Sequence, residues 1–465
     1  MLSLQNLVLK FDGESILENV NLNFKPGEVT VITGHSGTGK SSLLKVINGI
    51  IPEYDCGDVK GDVLYKDKSL LGMSILERSK FISTVFQNPK TQFYCINSTD
   101  ELAFQLENRC IERNLILDKI HYYSDVLGSK DLLDKNIFEL SGGEKQLIAI
   151  TASGISENEI ILLDEPSSSL DYESIKNLKR AIIELKKRNK IIIIVEHRLF
   201  YLKDIVDKLC VIENKTFKEY TKEYFSDDFF ERVSEKHNLR NFNEIFKSDF
   251  LNRQYEKVDM LQKNTPSNFV NESITCLHFK KTYDKNTIFD FSVSFNTGIN
   301  FIIGQNGVGK STFINLLMGT IKGKGEVFYK GEKLKKRYEN IFAVMQDVNY
   351  QLFTESVWQE IGTVTKQDNL KNEALRKVHL FNKKEMHPSS LSGGEKQRLL
   401  LAMSMVSQKP IIVFDEPTSG LCKMQMDILI GFLNQMVEQG KTIIIITHDF
   451  EFIKQCDGAI YEFTK

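Results

Sequence analysis

Short apolar runs recur along the chain, and each has the length of a buried β-strand. They alternate with stretches in which apolar residues return every three or four positions, as in residues 41–48 and 311–318. This alternation is typical of α/β proteins in which helices cover a mainly parallel sheet. The strand-like runs fall at residues 29–33, 160–163, 191–195, 299–303, 411–414 and 443–446.

Two kinds of segment depart from this pattern. Residues 1–10 alternate apolar and polar side chains, which predicts a half-buried strand rather than a signal peptide. Residues 88–140 and 347–391 lack long strand-like runs, and we predict that they are helical insertions.

The pattern divides the 465 residues into two similar halves, each long enough to bury its own core. We predict a first domain at residues 1–214 and a second at residues 271–465. Residues 215–270 mix charged and aromatic side chains, which predicts a charged helical connector that packs on a domain. Within it, residues 262–268 have the composition of a flexible linker, and the role of the connector is left open.

Composition narrows the class of protein. Apolar residues make up 41% and charged residues 26% of the chain, as in ordinary globular proteins, and the net charge of −2 gives no general attraction to nucleic acid. The seven cysteines are odd in number and show no C-x-x-C spacing, so we expect free thiols in a reducing cytoplasm. No apolar run approaches the ~20 residues that span a bilayer.

One motif that binds phosphate appears in each half. Both copies fit G-x-x-x-x-G-K-[ST], and both lie between a strand-like run and a helix-like run. A glycine-rich loop can turn several backbone N–H groups toward one phosphate, and the helix that follows adds the positive end of its dipole. The two predicted phosphate loops run from Gly34 to Ser41 and from Gly304 to Ser311.

Three further motifs repeat in the same order. The sequence Leu-Ser-Gly-Gly-Glu-Lys-Gln, a pair Asp-Glu before proline, and a histidine after a strand-like run occur in both halves. Ser141 lies 24 residues before Glu165, as Ser392 lies before Glu416, and each glutamate precedes its histidine by 32 residues. The repeated units are residues 140–146 and 391–397, Asp164-Glu165 and Asp415-Glu416, and His197 and His448. Matched spacing makes an accidental likeness of the halves untenable.

The Asp-Glu pairs follow buried strands, at the sheet edge where ligands of open α/β folds bind. Asp164 and Asp415 offer the hard oxygens that Mg²⁺ prefers. Glu165 and Glu416, one residue later, are candidates to polarise an attacking water. His197 and His448 are candidates to contact the terminal phosphate or to hold that water.

These motifs resemble the ATP-binding cassette (ABC) ATPases over nearly the whole chain except the connector. The resemblance implies tandem cassettes, each with a RecA-like, mainly parallel core, a small antiparallel β part and a helical subdomain. It implies ATP and Mg²⁺ as cofactors and two composite sites, in which the Ser-Gly-Gly segment of one cassette faces the ATP of the other. Magnesium ligands, directly or through water, would be Ser41, Gln87, Asp164, Ser311, Gln346 and Asp415. Nucleotide contacts would come from Gly34, Ser36, Gly37, Gly39, Lys40, Ser41, Ser42, Gln87, Gly304, Asn306, Gly307, Gly309, Lys310, Ser311, Thr312, Gln346, Ser141, Gly142, Gly143, Ser392, Gly393 and Gly394, with Phe11 and Tyr283 stacking on adenine.

The segments around Gln87 and Gln346 are similar to those of energy-coupling-factor transporter ATPases. A second glutamine follows five residues later in each half, at Gln92 and Gln351, and residues 196–199 resemble fused, two-cassette members. This resemblance implies an importer of a vitamin or a transition-metal ion. The chain would lie peripherally on the cytoplasmic face of the cell membrane. Its partners would be a transmembrane subunit and a separate substrate-binding membrane subunit, with no nucleic acid.

Two other functions fit the sequence less well. A soluble, ribosome-associated twin cassette of ABC-F type would carry a longer, strongly basic connector, whereas residues 215–270 balance acidic and basic side chains. A structural or DNA-repair ATPase would insert a long coiled coil, and the sequence has no heptad run of that length.

The halves differ at one position of the loop that follows the Asp-Glu-Pro motif. The first loop has Asp171, as is usual in the family, and the second has Cys422. A thiol is a weak hydrogen-bond acceptor. Either the two sites are therefore unequal, or the presence of cysteine at this position is neutral.

Overall fold

The computed structural model describes residues 1–168, 170–250, 252–262, 273–283 and 286–465. The chain divides into two compact units. One is Met1–Glu244 with Cys422–Met424, and the other is Ile245–Leu421 with Gln425–Lys465. The predicted linker at 262–268 lies outside the described residues except for Gln262.

The first unit alternates strands and helices as the apolar pattern predicts. Its strands are β1 Leu2–Phe11, β2 Glu14–Phe24, β3 Val29–Gly34, β4 Asp58–Tyr65, β5 Lys68–Ser69, β6 Ile82–Val85, β7 Ile160–Asp164, β8 Ile191–Val195, β9 Lys208–Glu213 and β10 Thr216–Thr221. Its helices are α1 Lys40–Asn48, α2 Ile50–Glu53, α3 Ile75–Arg78, α4 Ser98–Asn108, α5 Arg113–Leu127, α6 Gly142–Ile155, α7 Tyr172–Lys187 and α8 Asp227–Lys236.

The second unit repeats most of this order. Its strands are β11 Tyr255–Asp259, β12 Ile274–Tyr283, β13 Asn286–Phe295, β14 Gly298–Ile303, β15 Lys324–Tyr329, β16 Glu332–Lys333, β17 Ile341–Val344, β18 Ile411–Asp415, β19 Thr442–Ile446 and β20 Ala459–Thr464. Its helices are α9 Lys310–Met318, α10 Arg337–Asn340, α11 Val357–Gly362, α12 Asp368–Lys377, α13 Gly393–Val406, α14 Lys423–Glu438 and α15 Phe450–Gln455. In this unit β11 is added before the repeat, and α15 lies between β19 and β20.

Each unit contains a larger sheet that is mainly parallel and a smaller antiparallel sheet. The larger sheets have the orders β10-β9-β3-β8-β7-β6 and β11-β20-β14-β19-β18-β17. The smaller sheets have the orders β2-β1-β4-β5 and β13-β12-β15-β16. The predicted α/β class, with an antiparallel β part and helical insertions in each half, is therefore confirmed.

The central strands are apolar throughout because both faces of the sheet are covered. In β8, Ile192 and Ile194 pack with the helices α4–α7 on one face. Ile191, Ile193 and Val195 pack with α1 and the small sheet on the other. Carboxyl ends of these parallel strands meet at one edge, and that edge carries the motif residues.

The predicted connector supplies elements to both larger sheets rather than helix alone. β10 pairs antiparallel with β9, and β11 pairs parallel with β20. α8 buries Phe229, Phe230 and Val233 in the core of the first unit. Among the described residues, no helix is both long and apolar enough to cross a membrane.

Candidate functional site

The first phosphate loop leaves β3 at Gly34 and enters α1 at Lys40. Gly34 has φ of 144°. A Cβ atom at Gly34 would lie 2.9 Å from the carbonyl oxygen of Ile212, so a larger residue does not fit there. The second loop repeats this geometry, since a Cβ atom at Gly304 would lie 2.4 Å from the carbonyl oxygen of Phe463. Each loop is thus fixed against the neighbouring strand of its own sheet.

The lysine of each loop lies over the loop that precedes it. Lys40 Nζ donates to the carbonyl oxygens of Gly34 at 3.2 Å and His35 at 2.6 Å. Lys310 Nζ donates to those of Gly304 at 2.7 Å and Gln305 at 3.0 Å. Burial lowers the pKa of Lys40, and the nearby carboxylate of Glu165 opposes that shift. Each ammonium group is therefore held over its own loop, at the predicted phosphate position.

A serine hydroxyl meets a buried carboxylate beside each loop. Ser41 Oγ donates to Asp164 Oδ1 at 2.9 Å, and Ser311 is hydrogen-bonded to Asp415. Burial raises the pKa of both aspartates above its usual range, because it disfavours the charged carboxylate. A cation would relieve that cost. The donor set of hydroxyl and carboxylate oxygens fits Mg²⁺.

Glu165 lies one residue beyond β7 in a left-handed backbone conformation, with φ of 43°. Its backbone N–H donates to the carbonyl of Val195 at 2.8 Å, which fixes it against the end of β8. Its side chain accepts a hydrogen bond from Gln87 Nε2 at 2.8 Å. Burial, together with the charges of Glu196 and Asp164, raises the pKa of Glu165 to about 8. A carboxyl group with a raised pKa is suited to accept a proton.

The histidine at the end of β8 faces this glutamate. His197 Nε2 lies 3.6 Å from Glu165 Oε1. Burial lowers the pKa of His197 well below its usual range, and the positive charges of Lys40 and Arg240 add to the effect. A neutral imidazole here can donate one hydrogen bond and accept another.

The second unit builds the same relationship. His448 Nε2 lies 3.6 Å from Glu416 Oε1, and its backbone N–H donates to Glu416 Oε2 at 3.4 Å. The ring also contacts Asn306 Oδ1 of the phosphate loop at 3.0 Å. Glu416 has φ of 50°. Gln346 follows β17, and its side chain is exposed.

A cavity with a volume of about 300 Å³ lies beside the phosphate loop, Glu165 and His197 in the first unit. Phe11, predicted to stack on adenine, and Ile16, which the sequence analysis did not identify, form its apolar wall. The lining residues are Phe11, Ile16, Ser36, Gly37, Gly39, Lys40, Ser41, Ser42, Glu165 and His197. In the second unit Tyr283 ends β12 with 47% of its surface exposed, and the ammonium of Lys281 lies 4.2 Å from its ring centroid.

The Ser-Gly-Gly segments lie at the starts of helices. Ser141 caps α6, and Ser392 caps α13, each in a reciprocal capping box with the glutamate three residues later. Gly142 and Gly393 are exposed at the first turn. These helix starts combine a hydroxyl, accessible N–H groups and a positive dipole end, which is a suitable arrangement for an anion.

In each cassette one glutamate fixes the chain after the glutamine loop. Sequence reasoning did not single out either glutamate. The buried Glu101 Oε2 accepts hydrogen bonds from the N–H groups of Tyr94 at 2.9 Å and Cys95 at 2.8 Å. Glu360 Oε2 does the same for Phe353 at 2.9 Å and Thr354 at 2.8 Å. A signal was present, because each glutamate follows the second glutamine of its half by nine residues.

The second glutamines also have a structural explanation. Gln92 Oε1 accepts from the N–H of Phe86 at 3.2 Å, and Gln351 Oε1 accepts from that of Met345 at 2.7 Å. Each therefore ties the end of its loop to the residue just before Gln87 or Gln346. Gln92 and Gln351, on which the resemblance to energy-coupling-factor transporter ATPases rests, therefore close the glutamine loops of their cassettes.

Two phosphate loops, each with its own acidic pair and histidine on an α/β core, define a tandem nucleotide-binding ATPase. The sequence model of the family described as ABC transporter matches residues 17–168 and 289–419, more than half of the chain. A Treponema denticola protein, provisionally named ABC transporter ATP-binding protein, is 36% identical over 98% of this chain and 93% of its own length. The chain belongs to the ABC transporter family, and the predicted tandem ABC cassettes and ATPase activity are confirmed.

A solved structure that covers most of this chain has a similar fold. A model of ribosome-bound archaeal Pelota and ABCE1 contains a chain that is 19% identical, covers 96% of this chain and 74% of its own, and has a TM-score of 0.64. At this identity the similarity concerns the fold alone. The structure of cbiO1 from Clostridium perfringens, part of the ABC transporter complex cbiONQ, is 27% identical, covers 50% of this chain and 94% of its own, and has a TM-score of 0.45.

Proposed function

We propose that this chain is the ATP-hydrolysing subunit of a membrane importer of the energy-coupling-factor type, carrying a vitamin or a transition-metal ion. It would lie on the cytoplasmic face of the membrane with a transmembrane subunit and a separate substrate-binding membrane subunit. The observation that carries the proposal is an exposed apolar patch beside the glutamine loop of each cassette.

In the first cassette this surface, the first docking patch, consists of Tyr94, Ile96 and Phe138. Their exposed fractions are 79%, 66% and 73%. The N–H of Ile137 donates to the carbonyl of Ile96 at 2.8 Å, which brings the segments that carry Ile96 and Phe138 together. Large exposed aromatic side chains that lie together mark a protein interface more often than open surface.

The second docking patch contains Tyr350 and Phe353, which are 77% and 79% exposed. The backbone under each patch is rigid because Glu101 or Glu360 binds two adjacent N–H groups there. Preorganised apolar anchors favour a short amphipathic helix as the occupant, since such a helix can place its apolar face on them. A polytopic membrane subunit with cytoplasmic helices fits this description.

The chemistry proposed for each cassette follows from its contacts. Mg²⁺ held with ATP by Ser41 and Asp164, or by Ser311 and Asp415, would neutralise phosphate charge. Lys40 and Lys310 would exchange their loop carbonyls for phosphate oxygens. Glu165 and Glu416 would accept the proton of the attacking water, and His197 and His448 would orient that water.

The composite arrangement remains part of the proposal. In it, Ser392, Gly393 and Gly394 complete the site of Lys40, and Ser141, Gly142 and Gly143 complete that of Lys310. Binding of two ATP molecules would favour the closed pair of cassettes, and hydrolysis would restore the open one. Gln87 would relay the change, because it touches Glu165 and begins the segment that leads to the first docking patch.

The proposal is tested by purifying the full chain from detergent-solubilised membranes and identifying what accompanies it. We expect a polytopic membrane protein. Tyr94→Asp with Phe138→Asp should reduce its recovery at least tenfold, because anchor residues of interfaces typically contribute about 2 kcal/mol or more. Leu76→Asp is the matched control, since Leu76 is 76% exposed and lies outside both patches.

ATP hydrolysis by the purified chain should stay unchanged in all of these variants. Recovery with ribosomes and no membrane protein would overturn the proposal in favour of a soluble, ribosome-associated ATPase. Equal recovery of the membrane partner by the double variant and the control would show that the patches are not the docking surface.

A further inference from the structure

The buried carboxylate beside His197, whose charge helps to raise the pKa of Glu165, also binds backbone groups of two segments. Glu196 follows β8 with 1% of its surface exposed. Its Oε1 accepts hydrogen bonds from the backbone N–H groups of His197 at 2.7 Å and Arg198 at 3.0 Å. Its Oε2 accepts from the hydroxyl of Tyr201 at 2.8 Å and from the N–H of Ser167 at 3.3 Å. Glu196 therefore connects the backbone at His197 and Arg198 to the loop at residues 165–171.

Arg198 holds the same loop by its carbonyl groups. One guanidinium nitrogen, Nη1, donates to the carbonyl oxygens of Ser167 at 3.1 Å and Leu170 at 3.2 Å. The two residues that flank His197 thus contact this loop through opposite hydrogen-bonding functions, one accepting and one donating. The loop begins at Glu165 and ends at Asp171, which caps α7.

The second cassette has different residue types at the positions that correspond to Glu196 and Arg198. Thr447 precedes His448, and its hydroxyl accepts from the N–H of Asp449 at 3.1 Å. Asp449 follows His448 and caps α15, accepting from the N–H of Phe452 at 3.2 Å. An ionised carboxylate has no hydrogen to donate, and threonine has no carboxylate that could serve four donors. Side chains at 447 and 449 cannot reproduce the contacts of Glu196 and Arg198.

We propose that Glu196 and Arg198 are positioning residues that fix the loop at 165–171 relative to His197, so that turnover at Glu165 depends on them. The inference rests on ATP hydrolysis and does not require the transport role. Without Glu196, buried N–H groups of Ser167, His197 and Arg198 lose their acceptor, and the loop has to move to find another. Such a loss displaces Glu165 and His197 and leaves the phosphate loop, which binds ATP, in place.

The test uses the full chain with Glu416→Gln, so that hydrolysis reports the site of Glu165. Glu196→Thr with Arg198→Asp installs the residue types of the second cassette. We expect kcat to fall about tenfold, as one misplaced hydrogen-bonded group commonly causes. The KM and the Kd for ATP should stay within about twofold. The kcat is taken from the alkaline plateau of its pH profile, where changed ionisation of Glu165 does not enter.

Conservative variants separate positioning from folding. Arg198→Lys keeps a hydrogen-bond donor, and Glu196→Gln keeps one acceptor oxygen. The decrease in log kcat caused by each of these variants should therefore be at most half of the decrease caused by the double variant. Lys66→Met, which removes an exposed cation paired with Glu159, is the control and should not change kcat. In a Glu165→Gln background, where hydrolysis reports the site of Glu416, the double variant should lower kcat less than it does in the Glu416→Gln background.

An unchanged kcat in the double variant would overturn the inference. So would a loss of kcat accompanied by an equal loss of ATP affinity and a lower melting temperature, because that pattern belongs to general destabilisation. Since membranes and partners are absent from this assay, failure of the transport proposal leaves its result unaffected.

Discussion

Gln87 donates a hydrogen bond from its amide nitrogen to Glu165 across 2.8 Å. The contact joins the residue predicted to activate water with the start of the segment that ends in the first docking patch. Glutamine can both donate to this carboxylate and, after rotation of its amide, present an oxygen to a cation. A single side chain is therefore suited to sense whether Mg·ATP is bound.

We predict that Gln87→Ala and Gln346→Ala uncouple ATP hydrolysis from transport. The side chains lie outside the phosphate loops, so ATP affinity should change by less than about 1 kcal/mol. The measurement compares ATP binding, ATP hydrolysis and substrate uptake in reconstituted vesicles. A collapse of ATP binding would show that the two glutamines maintain the nucleotide site itself.

The chain should bind two Mg·ATP. Both phosphate loops have the same lysine and serine geometry, and among the described residues no cluster of His, Cys, Asp and Glu could hold a separate metal. Titration of a Glu165→Gln, Glu416→Gln variant, in which ATP is not consumed, should give a stoichiometry near two. One ATP per chain would contradict this prediction.

The two sites should be unequal because of Cys422. In the resembling family the loop carrying this residue helps the opposite cassette, so Cys422 should serve the site of Lys40, and Asp171 that of Lys310. A thiol is a weak acceptor, and a tenfold slower turnover needs only about 1.4 kcal/mol. Glu416→Gln should then remove most ATP hydrolysis, and Glu165→Gln should remove less.

Cys422→Asp should raise turnover of the slower site. Asp171 also caps α7 by accepting from the N–H of Ser174 at 2.9 Å, so an aspartate at 422 could act merely as a helix cap for α14. Cys422→Ser is the matched control, because serine caps a helix without supplying a carboxylate. Equal losses from the two glutamate variants, with no effect of Cys422→Asp, would indicate neutral drift.

Hydrolysis at the site of Glu165 should decline as the pH is lowered through about 8. Burial and the neighbouring acidic groups raise the pKa of Glu165 to about 8, and only its ionised form accepts a proton. The ionised fraction therefore falls below that pH, and kcat/KM of the Glu416→Gln protein should fall with it. A kcat/KM that stays constant between about pH 6 and about pH 9 would contradict the raised pKa of Glu165.

The sequence predicted the elements of the fold well where the chain repeats itself. The runs that became β7, β8, β18 and β19 are apolar at every position because both sheet faces are covered, and the repeat removed the usual ambiguity of short runs. The edge strands β10 and β11 were not predicted. Most of their side chains are exposed and polar, so they lack the continuous apolar run of a central strand. Their pairing with β9 and β20 also depends on residues that the local pattern does not identify.

The candidate site was likewise predicted only in part from the sequence. Motif spacing placed Lys40, Ser41, Asp164, Glu165 and His197 at one sheet edge. In the structure Lys40, Ser41, Glu165 and His197 line one cavity. Asp164 is hydrogen-bonded to Ser41 beside it. The contacts of Glu196 and Arg198 with the loop at 165–171 could not be read from spacing. They depend on side-chain direction and burial, which a linear pattern does not contain.

The double hydrogen bond to Glu101 has a mechanical consequence. Glu101 belongs to α4, whose Leu102 and Leu106 are packed in the same core as Leu147 and Ile148 of α6. Since one carboxylate oxygen secures two successive peptide groups, the backbone at Tyr94 has little compliance of its own. A force applied there would be carried into α4 and α6 with little loss. The helical part of the cassette would therefore behave as a stiff lever arm whose far end is the Ser-Gly-Gly segment.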